Sequence, residues 1–270
     1  MSFEDIHCIE KHLPDKPVVQ ALDAPNPPPG ELERLALITS VKWKTPIRLK
    51  VAFIDNPEPP ADLRARIVSH MNAWSEFCDV KFTESTNKPE VRITLQGRGY
   101  WSYLGTYILN DKLAGQATMC LQGFTMDTPE QTFRRVVRHE TGHTLGFPHE
   151  HLRAEVVNWI DREKAIEYFS GPPNMWDIPT IERNVLTPLP ANILTTSATA
   201  DLHSVMCYPL PGAILKTGAP NITGGLDISP IDKDFAASMY PFPRVGIITS
   251  ERPVYEQAFP GVLFILKAES

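Results

Sequence analysis

Long apolar runs are missing from this chain, and so is any basic run of useful length. No stretch approaches the roughly 20 consecutive apolar residues of a spanning helix. The opening segment MSFEDIHCIEKHLPDK has neither an apolar core nor the pattern of a signal peptide. No membrane partner is expected on these grounds, and the sequence reads as cytoplasmic or non-classically exported. With 26 basic against 32 acidic side chains and a formal charge of −6, it offers no positive surface for a nucleic-acid backbone. Cysteine is scarce. Cys8, Cys78, Cys120 and Cys207 are scattered, with no close metal-site spacing among them. A chain of 270 residues can bury a core without covalent staples, so free or variably paired thiols are expected. Internal repeats are also lacking, and nothing specifies an oligomeric state.

Proline is what the chain has in quantity. Most of its 26 prolines cluster at 14–29, 57–60, 172–190, 209–220 and 241–259, which predicts long loops between compact elements. Between these loops lies 134-RRVVRHETGHTLGFPHEHLR-153, the stretch around which the chain is organised. His139 and His143 are four residues apart, so on a helix both imidazoles project from one side and can meet a single ion. Glu140 sits beside them and can hold a water without filling a ligand position. Gly146 stands where a helix commonly ends in a left-handed residue, and His149 follows in the segment that turns back, supplying a third nitrogen. The string H-E-x-x-H-x-x-G-x-x-H is the metzincin zinc signature. Three imidazoles without cysteine leave an open coordination position, as catalytic rather than structural zinc sites do.

Residues 1–37 read as an extended arm with a polyproline passage at Pro27–Pro29. Should the arm cover the cleft, Cys8, Asp15 or Asp23 could approach the metal. The compact part begins near Ile38. Ile47, Leu49, Val51 and Phe53 alternate with Arg48, Lys50 and Ala52, the pattern of a strand with one packed face. Leu63, Ile67, Met71, Trp74 and Phe77 follow at helical spacing, and further strands are expected at VKF, at 90-EVRITL and in 115-GQATMCL. Thr128-Pro129-Glu130 introduces the zinc helix. Beyond His149, helices are expected at Asp161–Phe169 and near Ile178–Asn184. In 229-SPIDKDFAASMY, Ser229 caps a helix with Pro230 at its first position and Asp232 as the acidic third residue. GVLFIL near the C-terminus reads as a strand.

By residue 149 the chain resembles the astacin-like zinc metallopeptidases of the metzincin clan. Phe147 follows the glycine, Glu150 follows the last histidine and Arg153 comes three later, so HETGHTLGFPHEHLR is similar to the astacin form. A second likeness is 203-HSVMCY. Met206 matches the methionine of the Met-turn beneath the histidines, and Tyr208 matches the tyrosine that approaches the metal in that family. The resemblance implies an α/β (α+β) metzincin-like fold over residues 38–240. A twisted mixed sheet with long helices would form an upper lobe, 38–146, and an irregular lower lobe would span 147–240, with the zinc cleft between them. Residues 241–270 form an extension beyond this domain. It also implies that 115-GQATMCL is the edge strand that pairs with substrate.

The expected function is a zinc-dependent endopeptidase acting on extended peptide or protein substrates. One catalytic Zn2+ would be bound by His139, His143 and His149, with Glu140 as general base. Tyr208 would assist at the oxyanion, Met206 would form an apolar floor, and Glu150 and Arg153 would brace the turn after the zinc helix. The alternative is a zinc-binding peptide-recognition protein with little or no turnover. Lys216 could favour acidic substrates, although a solvated loop lysine is the better reading.

Overall fold

The computed structural model describes residues 37–172, 174–191, 194–195 and 199–243. The N-terminal arm with Cys8, Asp15 and Asp23, and the strand expected in GVLFIL, lie outside these residues. Five strands form the main sheet in the order β3-β2-β4-β6-β5. They are β2 (Ile47–Phe53), β3 (Val80–Glu84), β4 (Val91–Thr94), β5 (Tyr100–Ser102) and β6 (Met119–Leu121), and a short strand β1 (Leu37–Ile38) pairs separately with β7 (Leu194–Thr195). All neighbours in the main sheet are parallel except β5 and β6. The alternation in β2 puts Ile47, Leu49 and Val51 inward, while Arg48 is exposed.

Parallel β2 and β3 need a crossover, and α1 (Ala61–Met71) provides it. Its Leu63, Ile67 and Met71 stripe is buried, and a 3₁₀ turn at Asn72–Glu76 carries Trp74 into the same core. Asn72 tightens this end by donating to the Val68 and Phe82 carbonyls and accepting from the Phe82 amide at 3.0 Å. Each large apolar side chain buried here contributes roughly 1.5–3 kcal/mol.

The strand expected in 115-GQATMCL is Met119–Leu121, and it is interior, not an edge. It lies between β4 and β5, so the edge nearer the histidine motif is Tyr100–Ser102. Three residues are too few to show alternation, so the sequence pattern does not mark Tyr100–Ser102 as a strand.

The helix before the motif runs without a break from α2 (Glu130–Thr132) through a π-helical turn at Phe133–Val137 into α3 (Arg138–Thr144). Pro129 is its N-cap, one position earlier than expected. Further on, α4 (Ala154–Val157) and α5 (Arg162–Ser170) precede α6 (Ile178–Ile181) and a second π-helical turn at Glu182–Leu186. Asp161 caps α5 by accepting from the Lys164 amide. Finally α7 (Pro230–Met239) starts with the capping box of Ser229 and Asp232.

Two cores result. The larger joins the sheet, α1 and the histidine helix, and takes in Phe235, Met239 and Tyr240 from the end of the chain. The smaller is built from Val156, Phe169, Ile181, Val185, Leu210 and Ile214. Met206 belongs to the first core, and Cys207 and Tyr208 to the second, so this turn ties them together. Cys78 and Cys207 are buried free thiols.

Candidate metal centre

Helix geometry delivers the first two histidines, and a glycine delivers the third. Gly146 has φ +96°, its amide donates to the His143 carbonyl at 2.8 Å, and the Phe147 amide donates to the Gly142 carbonyl at 3.0 Å. This paired C-terminal arrangement ends α3 and reverses the chain. The remaining carbonyls at the helix end are met from outside: Trp43 Nε1 donates to Thr144 O at 2.7 Å, and Tyr240 Oη to Leu145 O at 2.6 Å. His149 is thereby brought back over the helix. Its Nε2 lies 3.2 Å from His139 Nε2 and 3.1 Å from His143 Nε2, with all three side chains buried.

The donor set suits a metal cation. His139 Nδ1 lies 2.6 Å from the Val205 carbonyl and His143 Nδ1 lies 2.7 Å from the Phe147 carbonyl. A carbonyl only accepts, so each Nδ1 carries the proton and each Nε2 turns a lone pair inward. Arg135 Nη1 is 2.9 Å from His139 Nδ1, but it donates to the same Val205 oxygen at 2.8 Å and does not change this tautomer. Burial, reinforced by the Arg135 charge and the neighbouring histidines, holds His139 well below the usual imidazole range, in the neutral form that ligates. Two nitrogens each about 2.0–2.1 Å from a tetrahedral ion stand about 3.3 Å apart, close to the spacing seen here.

Glu140 is buried next to His139 in α3. The Tyr208 ring centroid lies 4.8 Å from that of His149 and 5.9 Å from that of His139. Met206 is fully buried against Gly142, the helical residue between the ligands. Glu150 is also fully buried. Its Oε1 accepts from Arg153 Nη1 and from the Asp201 amide, both at 3.0 Å, and its own amide donates to the Met206 carbonyl at 3.0 Å. Arg153 also donates to Thr199 O at 3.0 Å. Burial pushes the Glu150 carboxyl up to about 7 against the pull of Arg153. Lys216 lies apart, exposed, with Nζ donating to Asn158 O at 2.8 Å, which suits a solvated loop lysine.

Two residues of this neighbourhood are not evident from the motif. Arg135, one turn before His139, donates to the Val205 and Cys207 carbonyls and so joins the helix to the Met206 turn. Its four-residue spacing from His139 is the only local signal. Gly142 is the other. A Cβ there would stand 2.3 Å from Met206 Sδ and 3.1 Å from its Cε, with Trp74 Cζ2 at 3.4 Å. Alanine normally favours a helix over glycine by about 1 kcal/mol. Here Gly142→Ala should instead destabilise by about 1–3 kcal/mol, through overpacking against the fully buried Met206 side chain. Thermal unfolding should show a Tm lowered by roughly 2–8 °C. A raised Tm would mean that Met206 moves freely.

Comparison with known proteins agrees with this geometry. The family model for astacin, a family of peptidases, matches residues 39–211. Zinc metalloproteinase nas-27 of Caenorhabditis elegans is 33% identical over 135 residues, and nas-38 of the same organism is 27% identical over 136. Each match covers 50% of this chain but only 27% and 16% of those longer proteins. Among solved structures, myroilysin superposes with a TM-score of 0.71 at 29% identity, covering 77% of this chain and 99% of that one. The medaka (Oryzias latipes) hatching enzyme HCE-1, a zinc-protease, shares the fold at 19% identity, with a TM-score of 0.50 over 75% of this chain and 95% of its own. With the family model spanning more than half of its length, this chain belongs to the astacin family of metallopeptidases.

Proposed function

We propose that the chain is a zinc-dependent endopeptidase in which His139, His143 and His149 hold one catalytic Zn2+. The observation that carries this reading is the convergence of three buried imidazole Nε2 atoms beside a buried glutamate of the same helical turn. Bound there, Zn2+ supplies Lewis acidity toward a water molecule and the scissile carbonyl. Glu140 accepts a proton from that water on its carboxylate and returns it to the leaving amine nitrogen. Met206 is the apolar floor under the imidazoles, and the Glu150–Arg153 pair braces the segment that carries His149.

Tyr208 donates a hydrogen bond from its phenol to the developing oxyanion. Tyr208→Phe is therefore expected to lower kcat more than it raises KM in steady-state assays. The reverse pattern would assign the ring to substrate binding.

The substrate is an extended polypeptide. In the antiparallel β5–β6 ladder the Tyr103 amide donates to Thr118 O and the Gln122 amide to Gly99 O, so Tyr100 and Ser102 direct their backbone groups away from β6. A peptide pairing along that edge is held by backbone contacts first. Beside His149, a recess of about 20 Å³ is lined by Phe169, Trp176, Val185, Tyr208 and Leu210 together with the polar His151 and Asn184, which is room for a water molecule and not for a substrate side chain.

The test is incubation of zinc-loaded protein with a proteome-derived peptide library, with products read by mass spectrometry. Cleavage that a chelator abolishes is expected. Intact peptides recovered with zinc still bound would replace catalysis by peptide recognition alone.

A further inference from the structure

The capping box of α7 is more heavily bonded than a cap requires. Asp232 is fully buried, and its Oδ2 accepts from the Ser229 amide at 2.9 Å, which completes the cap. The same oxygen accepts from the Val205 amide at 2.9 Å, and Oδ1 accepts from Ser204 Oγ at 2.7 Å. Ser204 Oγ in turn accepts from the Met206 amide at 2.9 Å. One carboxylate thus grips two successive residues of the turn that carries Met206. Burial pushes this carboxyl up to about 6, a cost that a helix cap alone would not impose, since an exposed serine or aspartate caps without it.

The next peptide, Val205–Met206, faces the histidines. Its carbonyl accepts from His139 Nδ1 at 2.6 Å and from Arg135 Nη1 at 2.8 Å. The turn is confined behind as well, because Gly225 packs so closely that a Cβ there would meet the His203 and Ser204 carbonyls at 2.3–2.4 Å. The planar Val205–Met206 peptide therefore connects Asp232, through Ser204 Oγ on its N–H, to His139 on its carbonyl, while the Val205 amide fixes the preceding peptide to the same carboxylate. We propose that Asp232 is a positioning residue for the metal centre, fixing through Ser204 and the Val205–Met206 peptide the direction in which His139 presents Nε2. This inference rests on the reading of His139 as a zinc ligand. Partners that orient a ligating histidine typically govern metal affinity by 10–100-fold, and here the partner is itself oriented from a helix 93 residues further along the chain than the ligand, the difference between positions 232 and 139.

The experiment compares full-length wild type, Asp232→Asn, Ser204→Ala and Ser229→Ala. It measures zinc release into excess chromogenic chelator, the visible absorption of the Co2+-substituted protein, and Tm. Asp232→Asn should release zinc about 10–100-fold faster and shift the Co2+ bands, because the amide cannot accept from every donor that the carboxylate serves. Ser229→Ala removes the cap hydroxyl but leaves the Val205 amide on Asp232. It should lower Tm while holding zinc release within about threefold of wild type, the behaviour of a lost cap. Should Asp232→Asn fail to fold, Ser204→Ala provides the same test, with faster release and a shifted Co2+ spectrum expected. A folded Asp232→Asn, or in its place Ser204→Ala, that loses Tm with wild-type release and spectrum would overturn the inference and leave Asp232 a helix cap. Wild type that retains no zinc would instead overturn the metal reading itself.

Discussion

Glu140→Gln is expected to bind Zn2+ as the wild type does and to hydrolyse peptides at least about 10²-fold more slowly. The amide matches the carboxylate in size, so the buried position in α3 is neither emptied nor overfilled. None of the three imidazoles is altered, and the bonds from His139 Nδ1 to Val205 and from His143 Nδ1 to Phe147 do not involve this side chain. What is lost is a group that can take a proton from water and carry it to the leaving nitrogen. Metal content measured alongside kcat/KM on a quenched peptide separates the two effects. Wild-type turnover in pure variant would remove Glu140 from the proton transfer.

Arg153→Ala should be the most damaging of the changes away from the ligands, at roughly 3–5 kcal/mol, because it leaves a buried carboxylate without its cation. Glu150 would keep the Asp201 amide as a donor but lose the guanidinium at 3.0 Å, and Thr199 O would lose its bond as well. The damage should depend on pH, and its sign follows from Glu150. The folded-state value, about 7, lies above the ordinary carboxylate value of 4.5, so the fold favours the protonated form. That contribution is complete below the ordinary value and is lost as pH rises through about 7. Removing Arg153 raises the folded value further, so the ionised form bears the loss. Urea unfolding of metal-free protein should therefore show a larger difference between variant and wild type at pH 8 than at pH 6. Since His149 precedes Glu150, zinc release should also quicken. Equal stability at both pH values with unchanged release would mean that the pair braces nothing.

The parts of this protein that could be read directly are those whose partners are close in sequence. His139 and His143 share a helical face because of a four-residue spacing, and Gly146 ends the helix because φ +96° suits a residue without Cβ. The Ile47–Phe53 strand, the Leu63–Met71 stripe and the Ser229 cap are equally local patterns. The edge strand falls at a different segment from the one expected, because pairing between β5 and β6 depends on which backbone lies alongside, and three residues carry no periodicity to show it. The π-helical turn before the motif likewise has no signature in residue spacing.

Long-range packing decided the remainder of the site. Val205 meets His139 across 66 residues, and Arg135 meets Cys207 across 72, while Ser204 bonds to an aspartate that reads in sequence only as a helix cap. Gly142 looks like a weak point in a helix until Met206 is seen against it. By itself the sequence determined the cluster of three histidines, the glutamate beside it and the reversal that returns His149, since backbone geometry over about eleven residues is set by local sterics. Only the tertiary structure decided what orients those imidazoles, because a hydrogen bond to a distant carbonyl exists only once two cores have packed and brought the turn between them to the helix.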